Sequence, residues 1–196
     1  MAEMQKKRTV KTGVSDFYVA SAEYDSESGK VNYGTPGVFG GTATVGVSVT
    51  KNANKIYESD ELIHNRSRVS GADITYTSRT VDLINEMKVM YDLTDEDGDY
   101  LVGTDDVPGH WAVGWARKES DGTYTGIWYL WTEPSKDDES DETATETQTS
   151  NPESYTFAAT TSPERRSDGK TMMKRVKKLA SQEELTAFFA NVLPTA

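Results

Sequence analysis

The clearest alternation of apolar and polar positions predicts a β-hairpin between positions 110 and 132. Its first strand places large residues on one face and small residues on the other: Trp111, Val113 and Trp115 against Ala112, Gly114 and Ala116. Asp121-Gly122 supplies the turn. The second strand, 124–131, is apolar at successive positions. A strand that is apolar on both faces lies in the centre of a layered fold or is covered by another subunit.

Shorter alternating runs predict further strands. They cover positions 14–22, 42–50, 71–81 and 153–162. A glycine- and proline-containing loop is predicted at 24–41. The strand at 42–50 is expected to stop at Asn52-Ala53-Asn54, since these residue types favour turns over strands. We see no internal repeat.

Two segments have helical spacing. The first is VDLINEMKVMYDL at 81–93. Its buried side is predicted to hold Leu83, Met87 and Met90, with Ile84 and Tyr91 as further candidates. The second helix is predicted at 181–193, where Ser181 and Glu184 form a capping box and Pro194 ends the helix.

These elements predict a mainly β chain, a β-sandwich or small barrel with one flanking helix. We divide it into an N-terminal arm at 1–13, a β-sandwich domain at 14–165, and a C-terminal arm with a short helix at 166–196. Inside the domain we predict a long charged loop at 51–69, with two short strand-like pieces around a charged middle at 55–69. We also predict an acidic, low-complexity loop at 133–153.

Composition narrows the classes of function. The 196 residues carry a net charge of −11, which disfavours tight binding to nucleic acid or to anionic membranes. The charge is compatible with a protein that DNA slides past without binding. The absence of cysteine excludes disulfides, thiolate zinc sites and cysteine nucleophiles. The basic N-terminus lacks the apolar stretch of a signal peptide. No apolar run approaches the roughly 18 residues that span a bilayer.

Candidate catalytic and metal-binding residues are few. The two histidines, His64 and His110, have no recognisable partners in the sequence, so we predict no enzyme, no cofactor and no transition-metal site. The run DLTDEDGDYLVGT resembles a calcium loop. With Gly98 at its sixth position, however, Leu93 and Thr104 occupy the ends, where acidic ligands belong. We interpret it as a turn, with a weak divalent-cation site as the lesser alternative.

Charge segregation suggests self-association. KRVKK is a dense basic cluster in an acidic chain, and we expect it to dock against an acidic surface of another copy: Lys174, Arg175, Lys177 and Lys178. Polar arms are costly to order in a monomer and are stabilised on a neighbour. Contacts between unlike surfaces close into rings or continue as filaments.

The order of segments carries a family resemblance. The segments are DFYVASA, VNYGTPGVF, TATVGVSVT, IYESDELIHNRSRVSGADITY, the helix at 81–93, WAVGWARK, a DG turn, TGIWYLW, an acidic threonine-rich stretch and YTFAATTS. Over roughly residues 14–165 this order resembles the major tail tube proteins of bacteriophages with long, non-contractile tails. The resemblance is one of segment order and not of a strict motif.

The resemblance implies a structural virion protein. In that family copies form hexameric rings whose inner sheets join around a channel, and the rings stack into a tube. The implied partners are other copies, the tape-measure protein, the tail terminator and distal tail proteins. DNA passes through the channel without specific binding. The implied location is the virion, after assembly in the host cytoplasm, with no membrane contact.

The resemblance also suggests roles for residues. The loop at 51–69 would bridge subunits, with these candidates: Lys55, Tyr57, Leu62, Ile63, Arg66 and Arg68. Acids that could face the channel are Glu58, Asp60 and Glu61. The hairpin would serve both as core and as subunit seam through Trp111, Val113, Trp115, Ile127, Trp128, Tyr129 and Trp131.

Three alternatives stay open. A carbohydrate- or protein-binding sandwich would use exposed tryptophans as stacking platforms: Trp111, Trp115, Trp128 or Trp131. A hydrolase would need two carboxyls converging in an apolar cleft. The tube of a secretion system or tail-like particle would have the same sequence features. Exposure of the tryptophan rings distinguishes the binding sandwich from the tube protein. The binding sandwich needs exposed rings, whereas for the tube protein we predict that the rings are mostly buried.

Overall fold

The computed structural model describes residues 9–58, 61–94, 98–136 and 152–194, with side chains outside 53–67. Most of the predicted N-terminal arm and of the predicted acidic loop lies outside these residues. The elements in this part of the chain are β1 (Lys11–Val14), β2 (Phe17–Asp25), β3 (Lys30–Tyr33), β4 (Gly37–Gly40), β5 (Thr44–Glu58), β6 (Glu61–Ser78), α1 (Leu83–Tyr91), β7 (Trp111–Glu119), β8 (Tyr124–Lys136), β9 (Glu153–Ala159), β10 (Ser162–Arg165), β11 (Thr171–Met172), β12 (Lys174–Leu179) and α2 (Gln182–Phe189).

The chain is mainly β, as the sequence predicts, and ten of the described strands form one sheet. Its main path runs β3-β2-β7-β8-β9-β6-β5, with antiparallel pairing throughout. The first half of β8 pairs with β12, and its second half pairs with β9. Strand β8 therefore links two parts of the sheet.

The sheet curls over one aromatic core. Phe17 on β2 stacks on Tyr76 on β6 with ring centroids 4.2 Å apart, although three strands separate β2 from β6 in the sheet. Phe39 on β4 meets Tyr155 on β9 at 5.3 Å. All four rings are buried. These contacts bring the two halves of the sheet face to face and give the barrel-like sandwich that the sequence predicts.

The β7–β8 hairpin is buried on both faces within the one chain. Its inner face contributes to the aromatic core: Trp111, Val113, Trp115, Ile127 and Tyr129. Its outer face, with Trp128 and Leu130, is covered by Phe188 and Phe189 of α2. The prediction that the hairpin is core is confirmed. Because α2 covers the outer face of the hairpin, the two apolar faces give no evidence for a neighbouring subunit. The role of the hairpin as a contact between subunits stays a prediction.

Gly114 lies against the indole ring of Trp128. A Cβ at this position would lie 2.6 Å from two ring carbons and 2.9 Å from the carbonyl oxygen of Ile127. We expect Gly114→Ala to lower the free energy of unfolding by about 1–3 kcal/mol, because the added methyl must displace a packed ring. Urea unfolding measures this. Gly13→Ala on β1, with nothing within 4 Å of the new Cβ, is the control. Equal losses for both variants would contradict the packing argument.

The internal helix forms, but its buried face differs from the prediction. Leu83 and Ile84 are 53% and 56% exposed, whereas Glu86, Val89 and Met90 are buried. The prediction that Leu83 and Ile84 face the core is therefore wrong. Glu86 turns inward because it finds polar partners on β8 and β9. That pairing rotates the two aliphatic residues toward solvent.

The C-terminal helix is shorter than predicted but begins where the capping box places it. The Ser181 hydroxyl accepts a hydrogen bond from the Glu184 amide at 3.2 Å, and the Glu184 carboxylate accepts from the Ala180 amide at 2.8 Å. Since β12 belongs to the main sheet and α2 covers its outer face, residues 174–189 are integral to the fold. The division that made 166–196 a separate arm is wrong in this respect.

Several loop boundaries also change. Strands β3 and β4 lie inside the predicted loop at 24–41. Strand β8 runs on to Lys136 and pairs with β9, so positions 133–136 are strand and not the start of the acidic loop. Proline at 134 does not end the strand, although its ring lacks an amide donor.

Candidate functional site

The segment predicted as a long charged loop at 51–69 is a β-hairpin, and the two strand-like pieces predicted within 55–69 belong to continuous strands. Strand β5 continues through Asn52-Ala53-Asn54 to Glu58, and β6 begins at Glu61. Registered pairs run from Lys51 opposite Val69 to Glu58 opposite Glu61. The prediction that β5 stops near 52 is wrong, because a partner strand supplies the backbone hydrogen bonds that these residue types would otherwise seek in a turn.

We call residues 51–58 and 61–69 the hairpin arm. Strand β9 pairs with β6 only from Ala72 onward, so in the described chain the two strands of the arm pair solely with each other. Eight strand residues extend about 25 Å. A two-stranded hairpin without further support is marginally stable in water. The arm therefore has a physical reason to pack against another surface.

The predicted bridging residues all lie on this arm. Lys55 and Tyr57 are on β5, and Leu62, Ile63 and Arg66 are on β6, with side chains outside the described set. Arg68 is exposed. The backbones of Glu58 and Glu61 are paired in register at the tip, and Asp60 lies outside the described residues. Their roles as bridging or channel-facing groups stay predictions.

Strand β5 ends the main path of the sheet. Within the described chain it pairs with β6 alone, so its other edge presents backbone amides and carbonyls without a partner strand. Val45 and Val47 pack against the core, while Thr44, Gly46 and Ser48 are exposed. Such an edge is a template for pairing with a strand of another chain.

The predicted basic cluster does not form one surface. Alternate residues of β12 point to opposite faces. Arg175 turns toward α2, donates to the carbonyl oxygens of Asn191 and Val192 at 2.9 and 2.7 Å, and lies 4.5 Å from the Phe188 ring. It holds the end of α2 in place. Only the other three cations of KRVKK are exposed: Lys174, Lys177 and Lys178.

A groove of about 790 Å³ lies at the base of the hairpin arm. Its walls include Val49 and Val69 from the arm's base, and Met172, Lys174 and Val176 from the C-terminal region. Sequence reasoning did not find it, since its walls come from distant parts of the chain. The signal that was present is the aliphatic Val176 within a run of cations.

A buried polar cluster fastens α1 to the sheet. The Lys136 ammonium lies 2.5 Å from the Glu86 carboxylate, and the Tyr155 hydroxyl lies 3.0 Å from that carboxylate and close to Glu153. Burial, and then the two carboxylates, raise the pKa of Tyr155 well above its usual range. These groups satisfy each other, so the cluster holds the fold together.

The tryptophans weigh against sugar binding. Trp111, Trp115 and Trp128 are buried, with at most 6% of each exposed. Only Trp131 is partly exposed, and it stacks on His110 at 4.2 Å. Three of the four proposed stacking platforms therefore have no free face, and the carbohydrate alternative depends on Trp131 alone.

The described residues form neither a metal-binding cluster nor a membrane-spanning helix. Among the side chains that the structure describes, no three of His, Cys, Asp or Glu are grouped so that they could hold a metal ion. No helix in the described ranges is both long and apolar enough to span a membrane. Comparison with known proteins gives no match to any family model and none to a curated protein.

Proposed function

We propose that this chain is the structural subunit of a phage tail tube. Copies self-assemble into stacked rings around a channel that first encloses the tape-measure protein and later conducts DNA. The hairpin arm carries the proposal, because a self-paired ribbon about 25 Å long is suited to reach a neighbouring subunit. The number of copies in each ring, six, comes from the family resemblance.

Two further features support this function. The free edge of β5 at one end of the sheet and the short strands β3 and β4 near the other end allow sheets of adjacent copies to join edge to edge. The net charge of −11 disfavours binding of DNA to the channel wall. Both features suit a conduit better than a binding module.

Electron microscopy tests the proposal directly. We expect purified protein, stained across a concentration series, to form rings or tubes of uniform width with a central channel, and light scattering to rise with them. Contacts between unlike surfaces continue from copy to copy, so the assemblies are expected to become larger as the protein concentration rises. Monodisperse monomers at every concentration, up to the millimolar range, would contradict the proposal.

A shortened variant tests the arm itself. Replacing residues 51–70 by Asn-Gly joins Thr50 to Gly71, its registered partner, through a two-residue turn. We expect a folded chain that forms no stacked tubes, because the ribbon that reaches the next subunit is gone. Circular dichroism and thermal unfolding provide the control for folding. Tubes of normal length from the shortened chain would show that the arm does not bridge subunits.

A further inference from the structure

Large hydrophobic side chains that stand in solvent gather in two places. Twelve such side chains are exposed in the described residues, and half of them belong to two groups. One group lines the groove at the base of the hairpin arm: Val49, Val69 and Val176. The other lies on the segment 98–109: Leu101, Val102 and Val107. Two separate apolar surfaces on one chain suggest a contact between copies.

The groove joins this apolar surface to positive charge that no described carboxylate pairs. Lys51 and Lys174 lie on its walls, and neither forms an ion pair with a described carboxylate. Arg166 is already held by Asp168, and Arg175 by the backbone carbonyls at the end of α2. No acidic residue is among the described lining residues. The groove therefore favours an occupant that is apolar and acidic.

The segment 98–109, GDYLVGTDDVPG, has those properties. Leu101 is 90% exposed and Val107 is 71% exposed. The segment carries three aspartates and no cation. Asp106 accepts a hydrogen bond from the Gly103 amide at 2.7 Å, which fixes a turn, whereas Asp99 and Asp105 are exposed. Carboxylates beside exposed aliphatic groups complement a groove with lysines beside exposed valines.

We propose that the segment 98–109 of one copy docks in the groove of a second copy. Leu101 and Val107 would cover the three valines, and Asp99 and Asp105 would approach Lys51 and Lys174. Among the described residues of a single chain, Leu101, Val102 and Val107 are exposed and the groove is lined but not filled, so both surfaces are offered to a second molecule.

The docking contact joins two unlike surfaces and therefore repeats from copy to copy, into a ring or a filament. It rests on the proposed function and adds to it a specific subunit contact, separate from the hairpin arm and from the sheet edge.

Two blocked variants test the contact by complementation. Leu101→Asp with Val107→Asp blocks the segment, and Lys174→Glu with Val176→Glu blocks the groove. Each variant alone is expected to associate at least about 30-fold more weakly than the unmodified chain, the effect of losing a central contact. An equimolar mixture retains one intact segment and one intact groove. It is expected to form heterodimers through this contact at concentrations where each variant alone is monomeric, as measured by sedimentation velocity.

Charge reversal adds a second readout. Lys174→Glu is expected to weaken association, and mixing it with Asp105→Lys is expected to restore association, because each surface then meets one of opposite charge. Glu183→Lys, an exposed change on α2, is the matched control and should leave association unchanged. Circular dichroism checks folding, and Lys51→Glu replaces any groove variant that fails to fold.

The outcomes separate this contact from the tube. Folded variants that assemble like the unmodified chain, or mixtures that stay monomeric, would overturn the docking contact. Tubes that persist in both blocked variants would overturn the contact while leaving the tube function intact. Heterodimers in the mixture, with no tubes from the unmodified chain, would support the contact and overturn the tube function.

Discussion

A chain that ends at Ala180 is expected to lose its stable fold. Truncation removes α2 and uncovers Trp128 and Leu130 on the outer face of β8. The side chains lost are all at least nine-tenths buried: Leu185, Phe188, Phe189 and Val192. Each contributes about 1.5–3 kcal/mol through burial. Together they approach the whole stability of a typical domain, about 5–15 kcal/mol.

Thermal unfolding and binding of a hydrophobic dye measure this result. We expect the truncated chain to bind the dye and to show no cooperative transition near that of the full chain. Ser181→Ala is the graded control, since it removes only the helix cap and is expected to cost about 1 kcal/mol. A truncated chain that unfolds cooperatively within a few degrees of the full chain would show that α2 is dispensable.

Glu86→Ala is expected to cause the second large loss of stability. It removes the carboxylate that lies 2.5 Å from the Lys136 ammonium, whose side chain is 12% exposed, and deprives the Tyr155 hydroxyl of an acceptor. Breaking a buried ion pair from one side typically costs about 3–5 kcal/mol. Glu153 lies 3.9 Å from Lys136 and compensates in part, so we expect the lower end of that range.

Urea unfolding measures the loss, and Glu183→Ala on the exposed face of α2 is its control. The double variant Glu86→Leu with Lys136→Leu is expected to recover much of the stability, because it leaves no charge buried alone. A loss below about 1 kcal/mol in Glu86→Ala would indicate that Lys136 reaches solvent or another carboxylate.

The elements with a strong local pattern were predictable. The β7–β8 hairpin follows from alternation and a turn-forming Asp121-Gly122, and α2 follows from a capping box. Both signals are contained in a few neighbouring residues, and both faces of the hairpin are buried as its composition requires. The mainly β class follows from the same alternation elsewhere in the chain.

The elements that depend on a partner were not predictable. In the described chain the two strands of the hairpin arm pair solely with each other, and in the sequence Asn52-Ala53-Asn54 reads as a break. Glu86 reads as a solvent-facing position until Lys136 and Tyr155, which are far away in sequence, meet it. Both errors arise because pairing across long sequence distances overrides local preference.

The groove was not predictable from the sequence for the same reason. Its residues run from Val49 to Pro194. They meet because β8 pairs with β12 along its first half and with β9 along its second half. Sequence reasoning placed the basic cluster in the right region but treated it as one patch. Strand alternation divides it, directing Arg175 inward and Lys174 toward the groove.

The position of α2 in the chain has a consequence for synthesis. The strands of the hairpin leave the ribosome well before the helix that covers Trp128 and Leu130. At roughly 5–20 residues per second, the outer face of the hairpin stays bare for several seconds. During that interval the nascent chain presents an aromatic surface to chaperones and to other nascent chains. Slowing translation between Lys136 and Ser181 is therefore a direct way to lower the yield of soluble protein.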